Sequence, residues 1–97
     1  MVKVKVLTKG DNLYGLEVSG HAGYAEHGQD LVCAGVSSIV TGGFNAFSKD
    51  DIEEITLEEG YAKVILKDNS ASLEVLKIII IQLQTMEESY PKFITIK

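Results

Sequence analysis

The chain has 97 residues, of which 45% are hydrophobic, so it suits one small domain with one core and is too apolar for a disordered segment. Its net charge is −5 and all nine basic residues are lysines, which argues against direct binding of nucleic acid. One cysteine cannot form an internal disulfide, and with only two histidines we expect no metal site and no cofactor. We expect a single cytoplasmic domain over residues 1–97, without an export or membrane segment.

Two alternating segments at the start of the chain predict a β-hairpin. Valines alternate with lysines in the first half of residues 2–8, which is typical of a strand with one buried face. Residues 10–12 supply a turn, and residues 13–19 alternate again. Residues 20–29 are mostly glycine, alanine and polar residues, so we expect a loop that can move.

The first helix is expected to begin directly after Asp30. Apolar residues recur at helical intervals over residues 31–47, and the Asp30 carboxylate can cap the helix by accepting a backbone N–H bond. Gly35, Gly42 and Gly43 are unfavourable inside this helix, by roughly 1 kcal/mol each relative to alanine. Close approach of a strand, or of a second subunit, would explain them.

A second hairpin follows, in a strongly acidic stretch. Residues 50–59 contain six acidic side chains and no basic one, while Ile55 and Leu57 alternate toward the inside. A turn at Glu59 and Gly60 leads into a strand over residues 62–66. The acidic side chains form either a solvated strand face or a wall that faces a basic substrate.

The isoleucine-rich stretch from Ser70 to Glu88 predicts a second helix, for which residues 68–70 offer caps. Its apolar surface is wider than one stripe, so we expect a homodimer through this helix, which a charge at Ile79 should disrupt. Residues 92–97 predict a last strand. The order strand, strand, helix, strand, strand, helix, strand predicts an α+β fold, in which two helices pack on a mainly antiparallel five-stranded sheet.

Potentially reactive side chains crowd into residues 20–38, which hold the cysteine and both histidines. Cys33 would be the third residue of its helix, where unpaired N–H groups and the helix dipole stabilise negative charge, and a thiolate is the nucleophilic form of cysteine. The intervening loop is long enough for His21 to reach it, so a Cys–His pair is possible. Helix-start N–H groups, together with Gly28 or another loop amide, could bind an oxyanion, and Ser37 would project on the same helix face.

Gly-His-Ala at residues 20–22, followed by Gly-Gln-Asp-Leu-Val-Cys-Ala-Gly-Val-Ser at residues 28–37, resembles the bacterial ribosomal-processing cysteine proteases known as Prp. The resemblance is specific in residues 20–38 and loose elsewhere. It implies that Cys33 is the nucleophile and His21 its partner. Residues that match other positions of the pattern, and that we expect to support the site or bind substrate, are Gly20, Gly28, Asp30 and Ser37. His27 has no role that the resemblance assigns, and because it is nearer to Cys33 in the sequence than His21 is, the spacing also allows the two histidines to exchange roles.

The resemblance also implies an activity and partners. It implies a cysteine endopeptidase that removes a short N-terminal extension from a bacterial large-subunit ribosomal protein, the one numbered twenty-seven, in support of ribosome assembly. It implies a homodimer as well. Two other hypotheses stay open on the residues alone: a non-catalytic, ribosome-associated binding module in which Cys33 is a packed helix residue, and a small hydrolase or acyl-transfer enzyme with a low-molecular-weight substrate.

Overall fold

A computed structural model of the chain describes residues 1–23, 25–26 and 30–97. The predicted α+β fold is confirmed, with two helices and a five-stranded sheet. The elements in chain order are β1 (Val2–Lys9), β2 (Asn12–Ser19), α1 (Leu31–Phe44), a short 3-10 turn (Lys49–Asp51), β3 (Ile52–Glu58), β4 (Tyr61–Leu66), α2 (Ser72–Ser89) and β5 (Ile94–Ile96).

The sheet has the strand order β3-β4-β2-β1-β5. Both predicted hairpins are present, and β2 joins them by pairing antiparallel with β4. The single parallel pair is β1 with β5, in which Val2 lies opposite Ile94. The sheet is therefore mainly antiparallel, as expected, and β3 and β5 form its edges.

Both helices pack against one face of the sheet, and the buried side chains form a single cluster. The strands contribute alternate residues to it, as their sequence pattern predicts. Buried strand residues are Val2, Val4, Leu16, Val18, Ala62, Val64, Leu66 and Ile94. Buried helix residues are Val32, Val36, Val40 and Phe44 on α1, and Ser72, Leu76, Ile79 and Leu83 on α2. The helix α1 ends at Phe44, earlier than the apolar pattern suggested, although Phe47 beyond it is buried as well.

Two of the three helix glycines lie where α1 meets α2. A Cβ atom at Gly43 would lie 2.5 Å from Cδ1 of Ile79, and one at Gly35 would lie 2.9 Å from Cε of Met86. Gly42 has nothing within 4 Å. The close neighbour is therefore the second helix, and not a strand or a second subunit as the sequence suggested.

Some large apolar side chains are exposed. Ile55 and Leu57 on β3 are opposite buried residues of β4 but are 45% and 49% exposed, so the expectation that they point into the core is wrong. On α2, Ile78 and Ile81 are 55% and 60% exposed, whereas Ile79 is 2% exposed. The expectation that Ile79 faces a second subunit is thus wrong, since it lies in the core. None of the helices in the described part of the chain is long and apolar enough to span a membrane.

Candidate active site

The start of α1 is organised by Asp30, which is the N-cap of the helix. Its backbone is extended, with φ −84° and ψ 103°, and its Oδ1 accepts a hydrogen bond from the Cys33 N–H at 2.9 Å. The second carboxylate oxygen accepts from the Ala25 N–H at 3.4 Å. The predicted cap is confirmed, and the same side chain also ties the preceding loop to the helix start.

Cys33 lies in the first turn of α1 and is partly buried. Its Sγ accepts a hydrogen bond from the backbone N–H of Ala22 at 3.1 Å. Ala22 itself is buried in the core cluster, with 4% of its surface exposed. The sulfur is therefore fixed to the segment that follows β2, directly beside His21 in the chain.

His21 follows β2 and has an exposed side chain. The residue before it, Gly20, adopts φ +91° and donates its N–H to the carbonyl of Gly60 at 2.9 Å. A Cβ atom at Gly20 would lie 2.5 Å from the carbonyl oxygen of Met1, so both the φ angle and the space require glycine. Anchors at Gly20 and Ala22 thus fix the backbone on both sides of His21.

A cleft of about 650 Å³ brings the predicted residues together, a size usual for ligand sites. Five of the six lie in its lining: Gly20, His21, Asp30, Cys33 and Ser37. The sixth, Gly28, lies outside the described residues, as does His27. The remaining lining comes from β1, from β2 and the loop after it, from one face of α1 and from the β3–β4 hairpin, and includes Val2, Val18, Val36, Val40, Thr41, Leu57, Glu58, Glu59, Gly60 and Tyr61.

Only one of the two interpretations of the acidic stretch, the wall that faces a basic substrate, placed the β3–β4 hairpin at a site. Its acidic residues turn out to have separate roles, so neither of the two interpretations covers the whole stretch. Glu58 and Glu59 line the cleft, whereas Asp51 bonds to Ser72 and Glu54 forms an ion pair with Lys63 at 3.1 Å. No single residue pattern could have separated them, because their partners come from other elements.

Two pKa shifts accompany the polar contacts of β4. The Tyr61 hydroxyl donates a hydrogen bond to Oε2 of Glu17 at 2.8 Å, and this bond raises the pKa of Tyr61. The bond from Lys63 to Glu54 raises the pKa of Lys63. Tyr61 lies at the border of the cleft, where its hydroxyl is held by Glu17. Among the described residues, no group of histidine, cysteine and carboxylate side chains is arranged to bind a metal ion.

The chain is similar to proteins of known family. A family model described as cysteine protease Prp matches residues 1–95. The ribosomal processing cysteine protease Prp of Mycoplasma pneumoniae is 35% identical over 82 residues, which cover 82% of each chain.

Solved structures give the same picture. The ribosomal processing protease Prp from S. aureus, in complex with a covalently linked product peptide, is 26% identical with a TM-score of 0.88. That match covers 100% of this chain and 98% of the other. The same S. aureus protease in complex with a substrate peptide has a TM-score of 0.83, at 26% identity and the same coverage.

Proposed function

Because this chain belongs to the Prp family of cysteine proteases, we propose that it is an endopeptidase in which Cys33 is the nucleophile and His21 is the general base. The observation that carries this proposal is the hydrogen bond from the Ala22 N–H to the Cys33 sulfur. It places the sulfur beside the backbone of His21, in a cleft that both side chains line.

The proposed reaction follows the order of an acyl-transfer mechanism. His21 takes the thiol proton while Sγ of Cys33 attacks the carbonyl carbon of the scissile bond. The tetrahedral intermediate collapses, the C–N bond breaks, and the His21 imidazolium gives its proton to the leaving amine. Water, activated by neutral His21, then attacks the thioester, and release of the new carboxyl terminus restores the thiol.

A backbone donor beside the reacting atoms supports this chemistry. The Ala22 N–H already donates a hydrogen bond to Sγ. It can therefore stabilise negative charge first on the sulfur and then, as this charge moves, on the substrate oxygen. The Cys33 N–H, in contrast, is occupied by Asp30. Of the helix-start donors expected from the sequence, Cys33 is thus the least suited to bind the oxyanion.

The other predicted site residues take supporting roles in this proposal. Gly20 allows the close approach of the Met1 backbone behind His21, and Asp30 orients Cys33 through the helix cap. Ser37 lies one turn after Cys33, is exposed and lines the cleft, so we assign it to substrate binding. Gly28 is assigned to substrate binding on the family pattern alone.

We propose further that the substrate is the N-terminal extension of the large-subunit ribosomal protein numbered twenty-seven, and that cleavage takes place in the cytoplasm. Support comes from relatives named as ribosomal processing proteases and from the S. aureus complex with a substrate peptide. Glu58 and Glu59 at the cleft also suit a basic protein. Cell fractionation that places the protein outside the cytoplasm would contradict the second point.

The test is cleavage of the extended ribosomal protein, read by mass spectrometry, with wild type, Cys33→Ala and His21→Ala. We expect one defined cut that both substitutions abolish while the fold, followed by circular dichroism, is retained. His27→Ala is the matched control for loss of a histidine, and it should cleave like wild type. Activity in Cys33→Ala would refute the proposal, and tight binding without any cut by wild type would favour the ribosome-associated binding module.

We also propose a homodimer through α2. The support is that α2 exposes two large apolar side chains, Ile78 and Ile81. Ile81→Glu should yield monomer in sedimentation, with Lys5→Glu, at an exposed position of β1 away from α2, as a charge control. The earlier choice of Ile79 is unsuitable, because a charge there would disrupt the core. A monomeric wild type, or an unchanged dimer in Ile81→Glu, would remove this part.

A further inference from the structure

We propose that Gly60, in the turn between β3 and β4, is a positioning residue for the imidazole of His21. This inference rests on the proposed function, in which His21 is the general base. It adds to the site an element that is distant from residues 20–38 in the sequence, since the turn belongs to the second hairpin.

The first observation is contact. A Cβ atom at Gly60 would lie 3.0 Å from Nε2 of His21, 3.4 Å from Cε1 and 3.8 Å from Cδ2. These atoms form one edge of the imidazole, so a methyl group on Gly60 would meet this edge and the ring would have to shift by a few tenths of an ångström. Gly60 also has φ +75°, a region that residues with a side chain rarely adopt.

The second observation is that the turn is fixed relative to the backbone of His21. The Gly20 N–H donates to the Gly60 carbonyl at 2.9 Å, directly after the strand pairing in which Ser19 lies opposite Tyr61. The backbone before His21 and the turn therefore belong to one hydrogen-bonded unit. The relative position of these two backbone segments changes only if the β2–β4 ladder changes.

The turn restricts the orientation of the exposed His21 side chain. An exposed histidine on a short side chain can occupy several rotamers, and only some of them direct a ring nitrogen toward Sγ of Cys33. A backbone surface against one edge of the ring excludes the rotamers that would need that space. The ring is then oriented before substrate binds, which general base catalysis requires.

The chain offers a matched pair of substitutions to test this inference. Gly60 and Gly10 both lie in hairpin turns and both have positive φ, +75° and +61°, but a Cβ atom at Gly10 would meet nothing within 4 Å. Gly60→Ala and Gly10→Ala therefore share the same kind of backbone strain and differ in contact with His21. Gly60→Asn and Gly10→Asn form a second pair, because asparagine tolerates positive φ and keeps a variant folded where alanine fails.

We expect Gly60→Ala to lower kcat for the extended ribosomal protein by about 10- to 100-fold, with KM within roughly twofold of wild type. Gly10→Ala should keep the wild-type kcat and KM. An independent readout is the NMR signal of the His21 imidazole, assigned by its loss in His21→Ala, with His27 as the second histidine of the chain for reference. That signal should change in Gly60→Ala and stay unchanged in Gly10→Ala.

Equal kcat values and equal His21 signals in the two alanine variants would overturn the inference, and so would an equal loss in both, since strain alone would then explain it. The His21→Ala variant separates this failure from a failure of the proposed function. If His21→Ala still cleaves, the general-base assignment is wrong and the inference falls with it. If His21→Ala is inactive while Gly60→Ala behaves like Gly10→Ala, only the positioning role is wrong.

Discussion

In both helices an aspartate accepts a hydrogen bond from a backbone N–H of the first turn, although α1 begins at a cleft and α2 begins in the core. At α1 the aspartate is Asp30, which immediately precedes the helix. At α2 the residue in the N-cap position is Ala71, which has no capping side chain, and Oδ2 of Asp51 accepts bonds from the N–H of Ser72 at 3.1 Å and from its hydroxyl at 2.6 Å.

The two starts differ in what the hydrogen bonds connect. The Ser72 hydroxyl also accepts from the Ser48 N–H at 3.0 Å, so the start of α2 is joined to the turn over residues 48–51, and Ser72 is almost fully buried. The cap at α1 comes from the residue next to the helix, and the start of α1 lines the cleft. A helix start can therefore serve packing, as in α2, or border a site, as in α1.

The largest effect on stability is expected at the start of α2. Asp51→Ala removes two hydrogen bonds to a carboxylate and leaves the buried Ser72 groups unpaired, so we expect a loss of roughly 3 kcal/mol in the free energy of unfolding. Urea denaturation measures it. Asp50→Ala, one residue earlier and exposed, is the control and should stay within about 0.5 kcal/mol of wild type. Similar losses in both would mean that the two helix starts do not differ as described.

An intermediate effect on stability is expected where α1 packs on α2, since this packing holds α1, the helix that begins at the cleft, against the rest of the fold. Gly43→Ala places a methyl group 2.5 Å from the buried Ile79 side chain and should cost about 1–3 kcal/mol. Gly42→Ala meets nothing and should stabilise the protein by up to about 1 kcal/mol through helix propensity. Thermal unfolding of the two variants should move in opposite directions, and a shift in the same direction would contradict the close helix contact.

The smallest effect on stability is expected at the start of α1. Asp30→Ala removes the helix cap and the 3.4 Å bond from the Ala25 N–H, and it should cost about 1 kcal/mol, measured by urea denaturation. Asp30→Ser retains a capping oxygen and should recover most of this loss. Because Asp30 also orients Cys33, alkylation of Cys33 by iodoacetamide should change in rate in the alanine variant more than in the serine variant. A loss as large as that of Asp51→Ala would show that the start of α1 carries more of the fold than we infer.

The same contrast explains which features were predictable from the sequence. Asp30 was found because a cap and its helix are neighbours in the chain, and the strands were found because their alternation is local. The cap at α2 was assigned to residues 68–70, but the carboxylate that performs this role is Asp51, 21 positions before Ser72. No local pattern reports a bond of that span.

The candidate site divides in a similar way. The cysteine, the histidines and the glycines indicated a candidate site within residues 20–38. Five of the six predicted residues line one cleft. The hairpin that completes the cleft was predicted as a hairpin, and only the interpretation of its acidic side chains as a wall facing a basic substrate placed it near the site. Its position depends on the pairing of β2 with β4, which joins two hairpins that are separated by a helix.

The close approach of the Met1 carbonyl to Gly20 has a practical consequence for experiments. Val2 lines the cleft, and the Met1 backbone lies directly behind the residue that precedes His21. A peptide fused in front of Met1 would emerge beside the site and reach it at a high effective concentration, as a tethered competitor of any free substrate. Lys97 pairs with β1 at Val4 and Val6, and β5 runs parallel to β1, so the backbone at Lys97 points away from the Met1 end of the sheet. Affinity tags are therefore better placed after Lys97. Rates measured with a peptide fused before Met1 would include its competition for the site.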